Sequence, residues 1–158
     1  IMAGGTGSES RNQAMPETLP DALEVGTHNI PGIAGLLAGL RYVKRRGLES
    51  IDAHERKLKG LMCRKVAGIS GLEVFSSPTA QSGVLSVRSG KLGSEEIAAA
   101  LGARGVAVRA GLHCAPLAHQ SAGTLEGGTV RFSFSPFNNA AEIDRAAAEL
   151  VRILKMSS

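Results

Sequence analysis

The chain has no tryptophan, one tyrosine and four phenylalanines among 158 residues. A core so poor in rings has to be assembled from Leu, Val, Ile and Ala. A surface so poor in rings offers little on which nucleobases could stack, which argues against nucleic acid as a partner. The two cysteines, Cys63 and Cys114, are too few for a disulfide scaffold, so a reducing, cytoplasmic location is expected. No apolar run approaches the roughly 20 residues of a membrane-spanning helix. No segment shows the charged, apolar and small-residue order of a secretory leader. No membrane association is expected.

What is present is an ordinary globular composition, 43% hydrophobic and 20% charged, with a net charge of +4 and a pI near 9.4. The basic residues gather in "RYVKRRG" (41–47) and "HERKLKGLMCRK" (54–65). Both stretches mix them with apolar residues at helical spacing, as solvated helix faces do. A polyanion-binding patch is the alternative.

Residues 1–30 carry no sustained period and are rich in Gly, Pro, Ser and Asn, so they read as an arm. Residues 31–158 read as an α+β domain with a leading helix. That helix is bounded by Asn29 as a cap, Pro31 in the first turn and Gly47 after a basic last turn. Its apolar face is Ile33, Leu36, Leu37, Leu40 and Val43. A second helix fits 49–67, with Ile51, Leu58, Leu61, Met62 and Val66 recurring at helical steps. The period then changes to alternation over 72–76 and 83–89, as in half-buried strands, with a loop over 78–83 between them. Ser94 as N-cap starts a short helix, with Gly105 past its end. A strand is expected over 106–110, a long Gly-rich loop over 111–128 and a strand over 129–135. A last helix follows Asn139, with Ile143, Ala147, Leu150 and Leu154 on one face. The order predicts a sheet of three or four strands covered by helices. No internal repeat is visible.

The chemistry gathers in "RAGLHCAPLAH" (109–119). Cys63, beside Leu61 and Met62 on a helix, reads as a small buried hydrophobe. Cys114 instead sits in a loop where a strand ends. Arg109 and Arg131 lie on the strands flanking that loop. If those strands are neighbours, both guanidinium groups can face it. Cationic surroundings stabilise a thiolate, and the thiolate is the nucleophile. His113 adjoins Cys114, and neighbours in extended chain point opposite ways, so it is expected to orient or pack rather than act as a direct base. His119 is expected to be an exposed loop residue. The spacing of His113, Cys114 and His119 matches no zinc pattern, and no metal is expected. Arg131, mid-strand, calls for an acceptor such as a carboxylate if it is buried. "GGTG" (4–7) lacks the following Lys-Ser/Thr of a phosphate loop. "EVGTHN" (24–29) precedes a helix, where it could bind an anion or simply cap.

Together "GGTGS", "EVGTHNIPGI", "VAVRAGLHCAPL" and "TVRFSFSPFNNAAEID" resemble, in order and spacing, the C-terminal part of the cysteine desulfurases. These belong to the class V aminotransferase group of pyridoxal phosphate (PLP) enzymes, and selenocysteine lyase-like members share the loop. The resemblance runs through essentially the whole chain. It implies the small C-terminal domain of a fold-type I PLP enzyme, with a mostly antiparallel sheet, preceded by an arm from the large domain. It implies that Cys114 is the nucleophile and becomes a persulfide, and that Arg131 binds the substrate carboxylate with Arg109 shaping the site. It implies Thr27 and Gly26 at the cofactor phosphate, across a homodimer interface, with Asn29 in the same loop on the substrate side. It implies cysteine or selenocysteine as substrate and a sulfur-acceptor protein as partner. Leu112 departs from the family branch, where a second His is common. None of Lys44, Lys57, Lys59, Lys65, Lys91 and Lys155 sits in the context of the family's cofactor lysine, which lies upstream of the Gly-rich segment. With that lysine missing and Ile rather than Met at position 1, the chain is expected to be a fragment, inactive by itself. The readings from other classes are a stand-alone thiol carrier or redox protein using Cys114, and a basic binding module without catalysis.

Overall fold

A computed structural model describes residues 7, 11–12, 14–76 and 82–156. Most of "GGTG" and most of the loop over 78–83 lie outside the described residues. The chain divides into two compact units, Ile1–Arg46 and Gly47–Ser158. The composition boundary at residue 30 thus falls inside the first unit.

In the first unit a short 3-10 turn at Asp21–Leu23 precedes helix α1, Ile30–Arg46. Asn29 Oδ1 accepts a hydrogen bond from the Gly32 amide at 3.0 Å, which satisfies one of the orphan donors of the first turn. Lys44, Arg45 and Arg46 fill the last turn, where cations complement the helix dipole.

The second unit runs α2 (Leu48–Val66), β1 (Leu72–Phe75), β2 (Val84–Ser89), α3 (Ser94–Gly102), β3 (Arg109–Gly111), α4 (Pro116–Ser121), β4 (Thr129–Ser133) and α5 (Ala140–Met156). The four strands form one antiparallel sheet in the order β1-β2-β4-β3. The alternation read from the sequence is realised on its faces. Leu85, Val87, Val130 and Phe132 point to one side and are buried. Against them lie Leu58, Met62 and Val66 of α2, Ile97 and Leu101 of α3, and Ile143, Leu150 and Ile153 of α5. Each such side chain contributes roughly 1.5–3 kcal/mol by leaving water. The start of α5 is fixed by a reciprocal box. Asn139 Oδ1 accepts from the Glu142 amide at 3.1 Å, and Glu142 Oε2 accepts from the Asn139 amide at 3.0 Å. The Asn138 side chain, and then the Asn139 amide, hold the Glu142 carboxyl below its ordinary pKa.

Three local expectations change. The strand expected at 106–110 is shorter and later, at 109–111, where it pairs with β4 from Arg109 opposite Arg131 to Gly111 opposite Thr129. Val106 and Val108 pack at the edge of the core instead of joining the ladder. Ser94 does not cap α3. Gly93 holds the cap position, and the Ser94 hydroxyl donates to the Gly127 carbonyl. The loop over 111–128 contains α4, a helix too short to show a period, opened by Pro116.

Candidate active site

Residues directly opposite in an antiparallel ladder share a face. Arg109 of β3 stands opposite Arg131 of β4, and Arg131 opposite Ser86 of β2. This row lies on the side of the sheet away from the core, because Val87 and Val130, one residue along, are the buried ones. The strands are therefore neighbours and the two arginines share a face, which meets the condition that the sequence left open. Like charges placed opposite each other are unfavourable. Arg131 Nε is moreover buried without a hydrogen-bond partner. Among the described residues neither arginine is ion-paired. A bound carboxylate would satisfy that orphan donor and relieve the repulsion of the pair, since its two oxygens match the guanidinium fork.

After Gly111 the chain turns sharply. The Ala115 amide donates to the Leu112 carbonyl at 2.9 Å, and both residues between them are left-handed, His113 at φ 52° and Cys114 at φ 59°. The alternation expected of an extended segment therefore does not apply. Left-handed backbone costs an L-residue with a Cβ roughly 1–2 kcal/mol, so this turn stores strain at the thiol. Cys114 is exposed, and Arg109 Nη2 donates to its Sγ at 3.8 Å. Cys63 is half-buried and packs against the core of the second unit.

Below the turn lies a polar cluster. His113 Nε2 and Thr129 Oγ1 are hydrogen-bonded at 3.1 Å, and His119 Nδ1 and Thr124 Oγ1 at 2.7 Å. The two imidazole rings are 5.6 Å apart. Burial, then the Arg131 charge, His119 and Arg109 push the His113 pKa below its ordinary value, against a Thr129 backbone contact that raises it. His119, expected to be exposed, is buried: α4 turns it inward, where Thr124 satisfies it. The sequence reading passed over Thr124, Thr129 and Gly128. The signal was "GGT" (127–129), two glycines admitting a close backbone approach just before a strand.

In the first unit Gly26, Thr27 and Asn29 are exposed at the entry to α1, and Gly26 has φ 77°. Asn29 Oδ1 is engaged by Gly32, so the capping alternative is realised for that oxygen, and the side-chain amide nitrogen remains. The second unit thus unites Cys114, Arg109 and Arg131, while Gly26, Thr27 and Asn29 belong to the first.

Comparison with known proteins decides the family. The aminotransferase class-V family matches residues 2–146. The chain belongs to the class-V aminotransferases. This class-V chain is 33% identical over 139 residues to a probable cysteine desulfurase of Xylella fastidiosa, covering 88% of itself and 33% of that relative. It is 41% identical over 125 residues to a probable cysteine desulfurase of Mycolicibacterium paratuberculosis, covering 79% of itself and 18% of the relative. Among solved structures it resembles a cysteine desulfurase from Escherichia coli, with a TM-score of 0.80 and 26% identity. It also resembles the apo cysteine desulfurase from Thermococcus onnurineus, with a TM-score of 0.77 and 29% identity. Each alignment covers 99% of this chain and 39% of the other. The class-V chain therefore spans well under half the length of these relatives.

The family implies PLP. Two places in the class-V chain fit parts of such a site. The orphaned Arg131 Nε fits a substrate carboxylate, and a Thr hydroxyl beside a positive-φ glycine at a helix N-terminus fits a phosphate. The lysines do not fit the cofactor's covalent anchor. Lys59 is buried within α2, Lys65 pairs with Asp144 at 2.9 Å, and none lies on β3, β4 or the segment 111–128.

Proposed function

We propose that this chain supplies the thiol side of a PLP-dependent cysteine desulfurase. The observation that carries the reading is the exposed Cys114 on a strained turn, beside two facing arginines of which one has an orphaned buried donor. Arg131, with Arg109, binds the α-carboxylate of L-cysteine and orients the substrate sulfur towards the turn. Bound PLP withdraws electrons from the substrate carbons, so that its C–S bond can break. The Cys114 thiolate attacks that sulfur. The S–S bond forms as the C–S bond breaks, the carbon takes a proton, and L-alanine leaves a persulfide on Cys114. An exposed turn lets Cys114 pass the sulfur to an acceptor protein.

Thr27 and Gly26 hold the cofactor phosphate across a homodimer interface, and Asn29 lies on the substrate side. The lysine that anchors PLP comes from outside these 158 residues, so the chain alone does not turn over. The relatives' names and the segment order support this reading. Among the described residues no helix is long and apolar enough to cross a membrane.

The test is a desulfurase assay on the protein carrying these residues, supplied with PLP and L-cysteine. Alanine should be released and Cys114 should gain the mass of one sulfur, while Cys114→Ser gives neither. Undiminished alanine from Cys114→Ser would overturn the assignment. A much higher rate with selenocysteine would transfer the reading to a selenocysteine lyase. Turnover by the 158-residue chain alone would refute an external lysine.

A further inference from the structure

The polar cluster under the Cys114 turn has no part in the chemistry proposed above. Thr129 is 2% exposed, Thr124 1% and His119 6%. Buried hydroxyl and imidazole groups at such a place need a reason, since an apolar floor would be easier to bury. The turn above supplies one. Its own closure is a single backbone hydrogen bond, from Ala115 to Leu112. Its two central side chains are anchored unequally. Cys114 makes a long, soft contact at 3.8 Å with a guanidinium on a flexible stem. His113 makes an ordinary hydrogen bond at 3.1 Å to a buried hydroxyl. That hydroxyl is itself fixed in place. Thr129 opens β4 in register with Gly111, and Gly128 before it packs directly on the Gly111 backbone. Thr129 cannot shift without moving the β3–β4 ladder.

We propose that His113, through Thr129, is a positioning residue that selects the left-handed turn and so sets where the Cys114 sulfur stands. It touches neither substrate nor reacting sulfur. His119, held by Thr124, backs the His113 ring from α4. The functional meaning rests on Cys114 being the nucleophile, whereas the conformational claim stands on the turn alone. Two measurements keep these apart.

The first is NMR on the 158-residue chain. At positive φ the amide and α protons of one residue lie close, so His113 and Cys114 should give strong intraresidue NOEs between them. Thr129→Val keeps the side-chain shape and removes the hydroxyl, and should abolish both signals. Thr129→Ser keeps the hydroxyl and should retain them. His113→Ala, at a half-buried position, should abolish the Cys114 signal and decides the matter if Thr129→Val fails to fold. Retention of the Cys114 signal in a folded Thr129→Val or His113→Ala variant would overturn the proposal. The second measurement is the desulfurase assay on the PLP-loaded protein. Thr129→Val should lower kcat by about tenfold or more, the scale expected for a misplaced reacting atom, with KM little changed and recovery in Thr129→Ser. A change confined to KM, or an equal loss in Thr129→Ser, counts against it. If Cys114→Ser retains turnover, the nucleophile reading fails and the NOEs still decide the turn.

Discussion

Gly128 is the position where one added methyl group should do the most local damage. A Cβ built there lies 2.5 Å from the Gly111 carbonyl carbon, 2.6 Å from its oxygen and 2.7 Å from its Cα, and all three are backbone atoms that cannot rotate away. Its φ is +62° as well. Gly127, next in the chain, separates the two effects. Its φ is +81°, and a Cβ there meets nothing within 4 Å. Alanine at either position takes the left-handed penalty of roughly 1–2 kcal/mol. At Gly128 overpacking adds about 1–3 kcal/mol. Gly127→Ala should therefore cost about 1–2 kcal/mol and Gly128→Ala about 2–5. At roughly 3 °C per kcal/mol for a chain of this size, the Tm should fall by about 3–6 °C and about 6–15 °C. Thermal unfolding of the 158-residue chain followed by circular dichroism measures both. Equal Tm values for the two variants would refute the close approach of β3 and β4, and with it the fixed place of Thr129.

The remaining expectations concern the site and the core. In an NMR titration the His113 midpoint should lie below 6.5 and rise when Arg131 is replaced by Ala, because burial and that cation favour the neutral ring. The linkage has a definite sign. The unfolded imidazole binds its proton near 6.5 and the folded one only at lower pH, so the unfolded state holds more protons in between. The stability from keeping His113 neutral is thus full above about pH 6.5 and is lost as pH falls through that window, which urea unfolding at several pH values should show. Iodoacetamide should label the exposed Cys114 before the half-buried Cys63, as peptide mass mapping would show, and the reverse order would contradict the structure. Leu150→Ala, at a fully buried position on α5, should cost about 3–5 kcal/mol in urea unfolding, and a cost under 1 would mean that the core is not packed as described.

Much of this was legible in the sequence because it depends on short-range periods. Leu58, Met62 and Val66 on one helix, and Leu85 with Val87 on one strand, announce their buried faces by spacing alone. The α+β order and the thiol at a strand end follow in the same way. His119 was misplaced because a six-residue helix has no period to read, and burial of its ring depends on where α4 lands. Ser94 looked like a cap because it has a capping side chain at the start of a helix, yet Gly93 takes the cap position and the Ser94 hydroxyl is turned to donate to the Gly127 carbonyl, far along the chain.

By itself the sequence singled out Cys114, Arg109 and Arg131 as the candidates for the proposed chemistry, and it predicted a small sheet covered by helices. It could do so because residue type and local repeat are properties of neighbouring positions. Only the tertiary structure decided that Arg109 stands opposite Arg131, that the chain turns left-handed through His113 and Cys114, and that a buried threonine lies beneath. Strand register and the close approach at Gly128 are set by contacts between distant segments, and those contacts make a strained turn at the thiol stable enough to persist.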